Sequence, residues 1–197
     1  MLLSITTVNS SAGTVAELPL ISSELKGSRA LGQPDAKVVV EIFSDFQCGH
    51  CAELHRSIES EIIRRYVATG QVLLKAHQVA FLGSASGKAT EAALCADDQG
   101  RFWEYRDALY SRAARSGKIA FKPASLIILA KELGLNEEAF ATCLTQNAYA
   151  HTVSSDTDRL LQAGVESVPT TLINGRKIVG VWPLAEYLAI IDEELAR

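Results

Sequence analysis

Hydrophobic positions change period several times along the chain, and each change marks an element. Residues 37–43 carry the β-branched run Val38-Val39-Val40, then Ile42 and Phe43, apolar on both faces except at Glu41. That pattern predicts an interior strand of a sheet covered by helices on both sides. From Cys48 to about Thr69 the period becomes three to four. Cys51, His55, Ile58, Ile62 and Tyr66 form a stripe that Leu54, Ile63 and Val67 broaden, while Glu61 and Arg65 pair at i,i+4 on the outer side. Gly70 supplies the stop, and a second strand is predicted over 71–78.

Residues 84–147 read as four helices without a strand. One spans 88–98 and carries Cys95. The next, over 102–115, has Phe102, Arg106, Leu109 and Ala113 on one side. Pro123 opens a third that Gly134 closes, and Asn136 caps a fourth over 137–146 that carries Cys143. A further helix over 149–163 ends at Gly164. Asn174-Gly175 then lies between two alternating strands, the strongest hairpin signal in the chain. Pro183 opens a C-terminal helix with Leu184, Tyr187, Leu188, Ile191 and Leu195 inside. The Ser/Thr-rich residues 1–30 read as an extended arm with an edge strand around 17–21. A β-α-β start, a helical insertion and an α-β-β-α finish describe one α/β domain.

Composition narrows the function classes. The chain has 197 residues, 48% hydrophobic and 21% charged, with a formal charge of −4, which gives no reason to expect a nucleic-acid partner. Four cysteines are too few for a disulfide-dense scaffold of this length. The first basic residue is Lys26, and polar residues break the apolar run at the start. That start is neither a signal peptide nor a membrane span.

The chemistry is concentrated in Cys48-Gly49-His50-Cys51, where the first strand delivers two cysteines to a helix N-terminus. Unpaired backbone N–H groups and the helix dipole stabilise a thiolate there. Zinc needs two more ligands. Cys95 and Cys143 fall on separate helices, and His55, His77 and His151 are scattered, so no metal is expected. A redox pair explains why the two cysteines are unequal. Cys48 lies at the exposed helix end to meet disulfides, and Cys51 points one turn inward to resolve a mixed disulfide. His50, cationic when protonated, favours the Cys48 thiolate, which makes the disulfide form more oxidising. His55, His77 and His151 are expected to be structural.

The motifs Gly32-Gln33-Pro34-Asp35-Ala36, Phe43-Ser44-Asp45-Phe46-Gln47-Cys48-Gly49-His50-Cys51, Ala92-Ala93-Leu94-Cys95-Ala96, Gly100-Arg101-Phe102-Trp103-Glu104-Tyr105 and Gly164-Val165-Glu166-Ser167-Val168-Pro169-Thr170 occur in this order. Together they resemble the DsbA-like thiol:disulfide oxidoreductases. The resemblance implies a thioredoxin fold over 31–82 and 148–197, interrupted by a helical domain over 83–147, with 1–30 as an arm. It implies a cis Pro169 packed against the cysteine pair, with the Val168 backbone pairing to an extended substrate. It also implies a structural disulfide between Cys95 and Cys143.

Relatives often carry a buried acidic proton relay six positions before the first cysteine. Here that position is Ile42, and Glu41 lies one residue earlier, on the opposite face of a strand. Either a bulge re-aims Glu41 or the relay falls to water or Asp45. Phe46 and Phe81 are expected to contribute an apolar surface around the pair.

The expected function is therefore to introduce or reshuffle disulfides in exported, cysteine-containing polypeptides without a cofactor. The resemblance implies a membrane redox partner, either a quinone-linked reoxidant or a protein that delivers reductant. It also implies an extracytoplasmic location, with a leader or anchor outside this sequence. Gly49-His50 matches the dipeptide of protein disulfide isomerases and leaves a reductase or isomerase open. The alternative class is a peptide-binding chaperone with dispensable cysteines.

Overall fold

The computed structural model describes residues 29–197, so the edge strand expected around 17–21 lies outside the described residues. The element that closes the sheet on this side is β1 (Ala30–Leu31), two residues antiparallel to β3 with Leu31 opposite Leu74. β2 (Val38–Ser44) runs parallel to β3 (Val72–Gln78), with Val38 opposite Val72 and Phe43 opposite His77. β4 (Thr170–Ile173) and β5 (Arg176–Val179) add antiparallel strands on the other side of β2. The order β1-β3-β2-β4-β5 makes β2 the centre of a mixed sheet.

β2 is not equally covered on both faces. Val38, Val40 and Ile42 are fully buried, whereas Val39 and Glu41 are half-buried. Asn174 and Gly175 both take positive φ, 46° and 85°, as a two-residue hairpin of the twist-matching type requires. Asn174 also fastens the turn to the sheet centre, because its Oδ1 accepts from the Val39 N–H at 2.8 Å.

The first helix, α1, is less regular than its periodicity predicts. It begins at Gly49–Leu54, passes through a π-helical turn at His55–Glu59 and three α-helical residues at Ser60–Ile62, then ends in a second π turn at Ile63–Val67. The widened turns bury Glu59 beside the apolar stripe. Such turns inside α-helices are frequent at functional sites.

Five helices follow β3. They are α2 (Ser84–Asp97), α3 (Phe102–Ser116), α4 (Pro123–Glu132), α5 (Glu137–Thr145) and α6 (Ala150–Gln162), with a 3-10 segment Gly117–Phe121 after α3. Asn136 caps α5 by accepting from the Ala139 N–H at 2.9 Å. The structure joins Cys95 of α2 to Cys143 of α5 in a disulfide with a Cα separation of 5.9 Å. α7 (Leu184–Ala196) closes the chain and packs Tyr187, Ile190 and Ile191 inward. Among the described residues no helix is long and apolar enough to cross a membrane.

Candidate active site

β2 ends at Ser44, and a tight turn carries the chain from Asp45 to the start of α1. One buried carboxylate holds that turn. Asp45 Oδ1 accepts from the Gln47 N–H at 2.8 Å and from the Ser86 hydroxyl at 2.6 Å, and its Oδ2 accepts from the Leu82 N–H at 2.9 Å. The Gln47 side-chain amide donates to Ser86 Oγ and to the Leu82 carbonyl. The loop is thus bound at several points to the first turn of α2.

Cys48 is the N-cap of α1, and its sulfur accepts from the Cys51 N–H at 3.3 Å. Its thiol also donates to the Val168 carbonyl at 3.6 Å. The Val168–Pro169 bond is cis, and Pro169 is buried at the foot of β4. Cys51 is 1% exposed, and its sulfur accepts from the Asp45 N–H at 3.5 Å. Both cysteines are free thiols.

The two sulfurs are electrostatically opposite. Of the groups that lower the Cys48 thiol, the Cys51 side chain acts most strongly, as a hydrogen-bond donor to the Cys48 sulfur. This bond, together with the backbone N–H groups of Cys51 and His50, brings the Cys48 thiol down to about 6 from an ordinary 9.0. Burial and the Asp45 carboxylate work against that shift and are outweighed. Cys51 is pushed far upward, first by the same hydrogen bond in which it is the donor and then by burial. One sulfur is ready to carry negative charge at neutral pH and its neighbour holds a proton.

The family described as thioredoxin matches residues 24–193. The chain belongs to the thioredoxin family. It is 26% identical over 174 residues to disulfide bond formation protein D of Bacillus subtilis, covering 87% of this chain and 78% of that protein. The crystal structure of oxidised BdbD from Bacillus subtilis superposes with a TM-score of 0.78 at 25% identity, covering 86% of this chain and 93% of that one. The chain is also 29% identical over 169 residues to the Na(+)/H(+) antiporter NhaA 1 of Salinispora arenicola. That match covers 84% of this chain and 24% of the antiporter, so the likeness extends to a quarter of it.

In this thioredoxin-family protein the expected site residues fall into two groups. Cys48, Gly49, Cys51 and Val168 come together around the Cys48 sulfur, and Pro169 follows Val168 through the cis bond. Gly49 is exposed, and a Cβ added there would meet nothing within 4 Å. His50 is exposed as well, and what acts on Cys48 from that residue is its backbone amide. Glu41 stands apart from the pair, as the register of a regular strand dictates. It accepts from His77 Nε2 at 3.1 Å, and that imidazole stacks on Phe43 with ring centroids 4.6 Å apart. The carboxylate whose charge reaches both cysteines is Asp45, which raises both thiols.

Phe46 is buried against Tyr110, at 5.0 Å between ring centroids, and its remaining edge lines a cleft beside Cys48. Phe81 lines a second cleft on the other side, with Leu82 and Leu161.

Beneath the pair lies a buried polar network that the sequence did not disclose. Arg106 of α3 donates through both terminal nitrogens to Glu59, at 2.6 and 2.9 Å, with each residue 1% exposed. His55, one turn past Cys51, faces Glu59 Oε1 at 3.3 Å and Asp107 Oδ1 at 3.0 Å and stacks on Tyr110. Burial pulls the His55 imidazole down, but the Glu59 and Asp107 carboxylates outweigh it and leave it above its ordinary value. The Gln78 amide, turned with its oxygen toward Arg106 Nε, links this cluster to Ser44 at the end of β2. His55 is thus buried among charged partners, where a residue packed against apolar neighbours was expected. The trace in the sequence was Arg106 on the apolar side of its helix.

Proposed function

We propose that the chain is a DsbA-like protein thiol:disulfide oxidoreductase that acts in the oxidising direction through Cys48 and Cys51. The observation that carries this is the inequality of the two sulfurs, with the Cys48 thiol down to about 6 and the Cys51 thiol driven up. A reduced form stabilised as thiolate makes the disulfide form the stronger oxidant. The Bacillus relative is named for disulfide bond formation, which supports the same direction.

In this reading the steps are as follows. In the oxidised protein Cys48 and Cys51 share a disulfide. A substrate thiolate attacks the half-buried Cys48 sulfur, the S–S bond breaks, and Cys51 leaves and takes up a proton. A second substrate thiolate then attacks the substrate sulfur of the mixed disulfide and expels Cys48 as the stabilised thiolate. The substrate gains a disulfide and loses two electrons, which the Cys48–Cys51 dithiol receives. Val168 and cis Pro169 shape the substrate side of the groove, and Gly49 leaves the approach open. Asp45 positions the turn. Its three hydrogen-bond donors fit an anchor better than a relay that must gain and lose a proton.

We assign the thioredoxin part to 31–82 and 148–197 and the helical part to 83–147, which the Cys95–Cys143 disulfide braces internally. The substrates in this reading are exported cysteine-containing polypeptides in an extracytoplasmic compartment, and a membrane redox partner restores the disulfide. Insulin reduction and dithiol-peptide oxidation by the wild type and Cys48→Ala test the assignment. Loss of both activities in the variant is expected. Equal turnover by the two proteins would sink the enzyme.

A further inference from the structure

Two clefts meet at Cys48, and they carry opposite charge. The first, of about 400 Å³, runs between the start of α1 and the end of α3, over Phe46, Ala113 and Phe121. Its charged lining residues are Arg56 and Lys118, both exposed, and among the described residues neither has a carboxylate partner. The second, of about 650 Å³, runs between the 80–82 segment, α6 and residues 166–168. Its apolar floor includes Leu82, 52% exposed, and Leu161, 44% exposed. Its charged lining residues are Asp158 and Glu166, exposed and likewise without a cationic partner among the described residues.

Beyond Asp158 the second cleft continues into a third that Lys88 and Glu91 line. Lys88 does not reverse the sign there. Its ammonium is held by Glu91 Oε1 at 2.9 Å and by Asn147 Oδ1 at 2.6 Å. The other Glu91 oxygen is buried and has no hydrogen-bond partner among the described residues.

We infer that the groove selects extended cysteine-bearing chains whose charge changes sign across the cysteine, with acidic residues on one flank and basic residues on the other. This rests on the oxidoreductase reading above. The physical basis is complementarity on both sides of one reacting atom. A chain laid across Cys48 places one flank against Arg56 and Lys118 and the other against Asp158 and Glu166. The apolar walls lower the local dielectric and lengthen the reach of those charges. Reversing the order of charges along the chain sets like against like at both ends, which costs binding twice. The discrimination is electrostatic, so it belongs to the approach step and weakens as salt shortens the Debye length.

The test uses Cys51→Ala protein carrying thionitrobenzoate in disulfide linkage on Cys48. A peptide thiolate attacks the Cys48 sulfur, a Cys48–peptide disulfide forms, the bond to thionitrobenzoate breaks, and the coloured thiolate leaves. Five peptides of one length carry a single cysteine flanked by acid–base, base–acid, acid–acid, base–base or serine–serine pairs. At low ionic strength one mixed order is expected to react at least about fivefold faster than its reverse and than both like-charged peptides. Protein with Arg56→Glu, Lys118→Glu, Asp158→Lys and Glu166→Lys together is expected to invert that preference. Equal rates for the two mixed orders on the unswapped protein would overturn the inference, whatever the swapped protein does. Failure of the oxidoreductase reading looks different: the serine-flanked peptide would react no faster with the protein than with the thionitrobenzoate disulfide of glutathione.

Discussion

Replacing Cys51 by alanine tests the origin of the Cys48 acidity. The largest cause lowering that thiol is the hydrogen bond from the Cys51 side chain, and the backbone N–H groups of Cys51 and His50 contribute less. Cys51→Ala deletes the first and keeps the other two. The Cys48 thiol is therefore expected to rise from about 6 most of the way back toward 9.0. At pH 7 a thiol at 6 is about 90% thiolate, and one near 8.5 is about 3%. Alkylation rates report this poorly. Intrinsic nucleophilicity rises with thiol basicity at a Brønsted slope of about 0.4–0.5, so a shift of about 2.5 units returns roughly tenfold per thiolate and hides most of the roughly thirtyfold loss. Thiolate ultraviolet absorbance against pH has no such compensation. The wild-type titration is expected near 6 and the variant at least about 1.5 units higher. A variant that still titrates near 6 would refute the side-chain origin and move the effect to the helix terminus or to the His50 imidazole.

Two further outcomes follow from the same structure. The folded Cys48 thiol lies below its ordinary 9.0, so it contributes stability that is fully present above that value and is lost as pH falls through about 6. The oxidised protein has no such thiol to titrate. The melting temperature of the reduced protein minus that of the oxidised protein should therefore climb between pH 5 and pH 8, and a flat or falling difference would contradict the assignment. In the network under the pair, Arg106→Leu leaves Glu59 charged and buried, at an expected cost of about 3–5 kcal/mol in urea unfolding. Adding Glu59→Leu should cost less than the sum of the single variants, and strict additivity would show that the two side chains are not coupled.

The legible parts of this fold were those with short-range signals. The β-branched run into Cys48, the helical stripe beyond it, Asn136 as a cap and Asn174-Gly175 as a hairpin turn each act within a few residues, and the structure carries all of them. The edge strand Ala30–Leu31 was missed because two residues cannot display an alternation. The π turns of α1 were hidden because a stripe read at steps of three and four tolerates one widened turn. The Glu59–Arg106 pair was hidden for another reason. Its members are 47 residues apart, and a buried charge on an apolar face is intelligible only when its partner is known. At the site, strand parity and a bulge left the direction of Glu41 open, and the unbroken pairing of β2 with β3 is what sets it beside His77. No local pattern announced that Asp45, three residues before Cys48, would be buried by bonds to residues 82 and 86.

Those bonds from Asp45 decide what the reactive sulfur is aligned to. A thiol at the tip of a strand would inherit its position from the sheet alone. Here the turn that presents Cys48 is fastened to the opening of α2, while the cis Pro169 side of the groove grows out of β4. The sulfur is therefore placed from two sides, by the opening of α2 acting through Asp45 and by the Val168 carbonyl ahead of β4. In the oxidoreductase proposed above, a shift of either anchor would carry the Cys48 sulfur with it, so the aim of the reacting atom depends on both contacts at once.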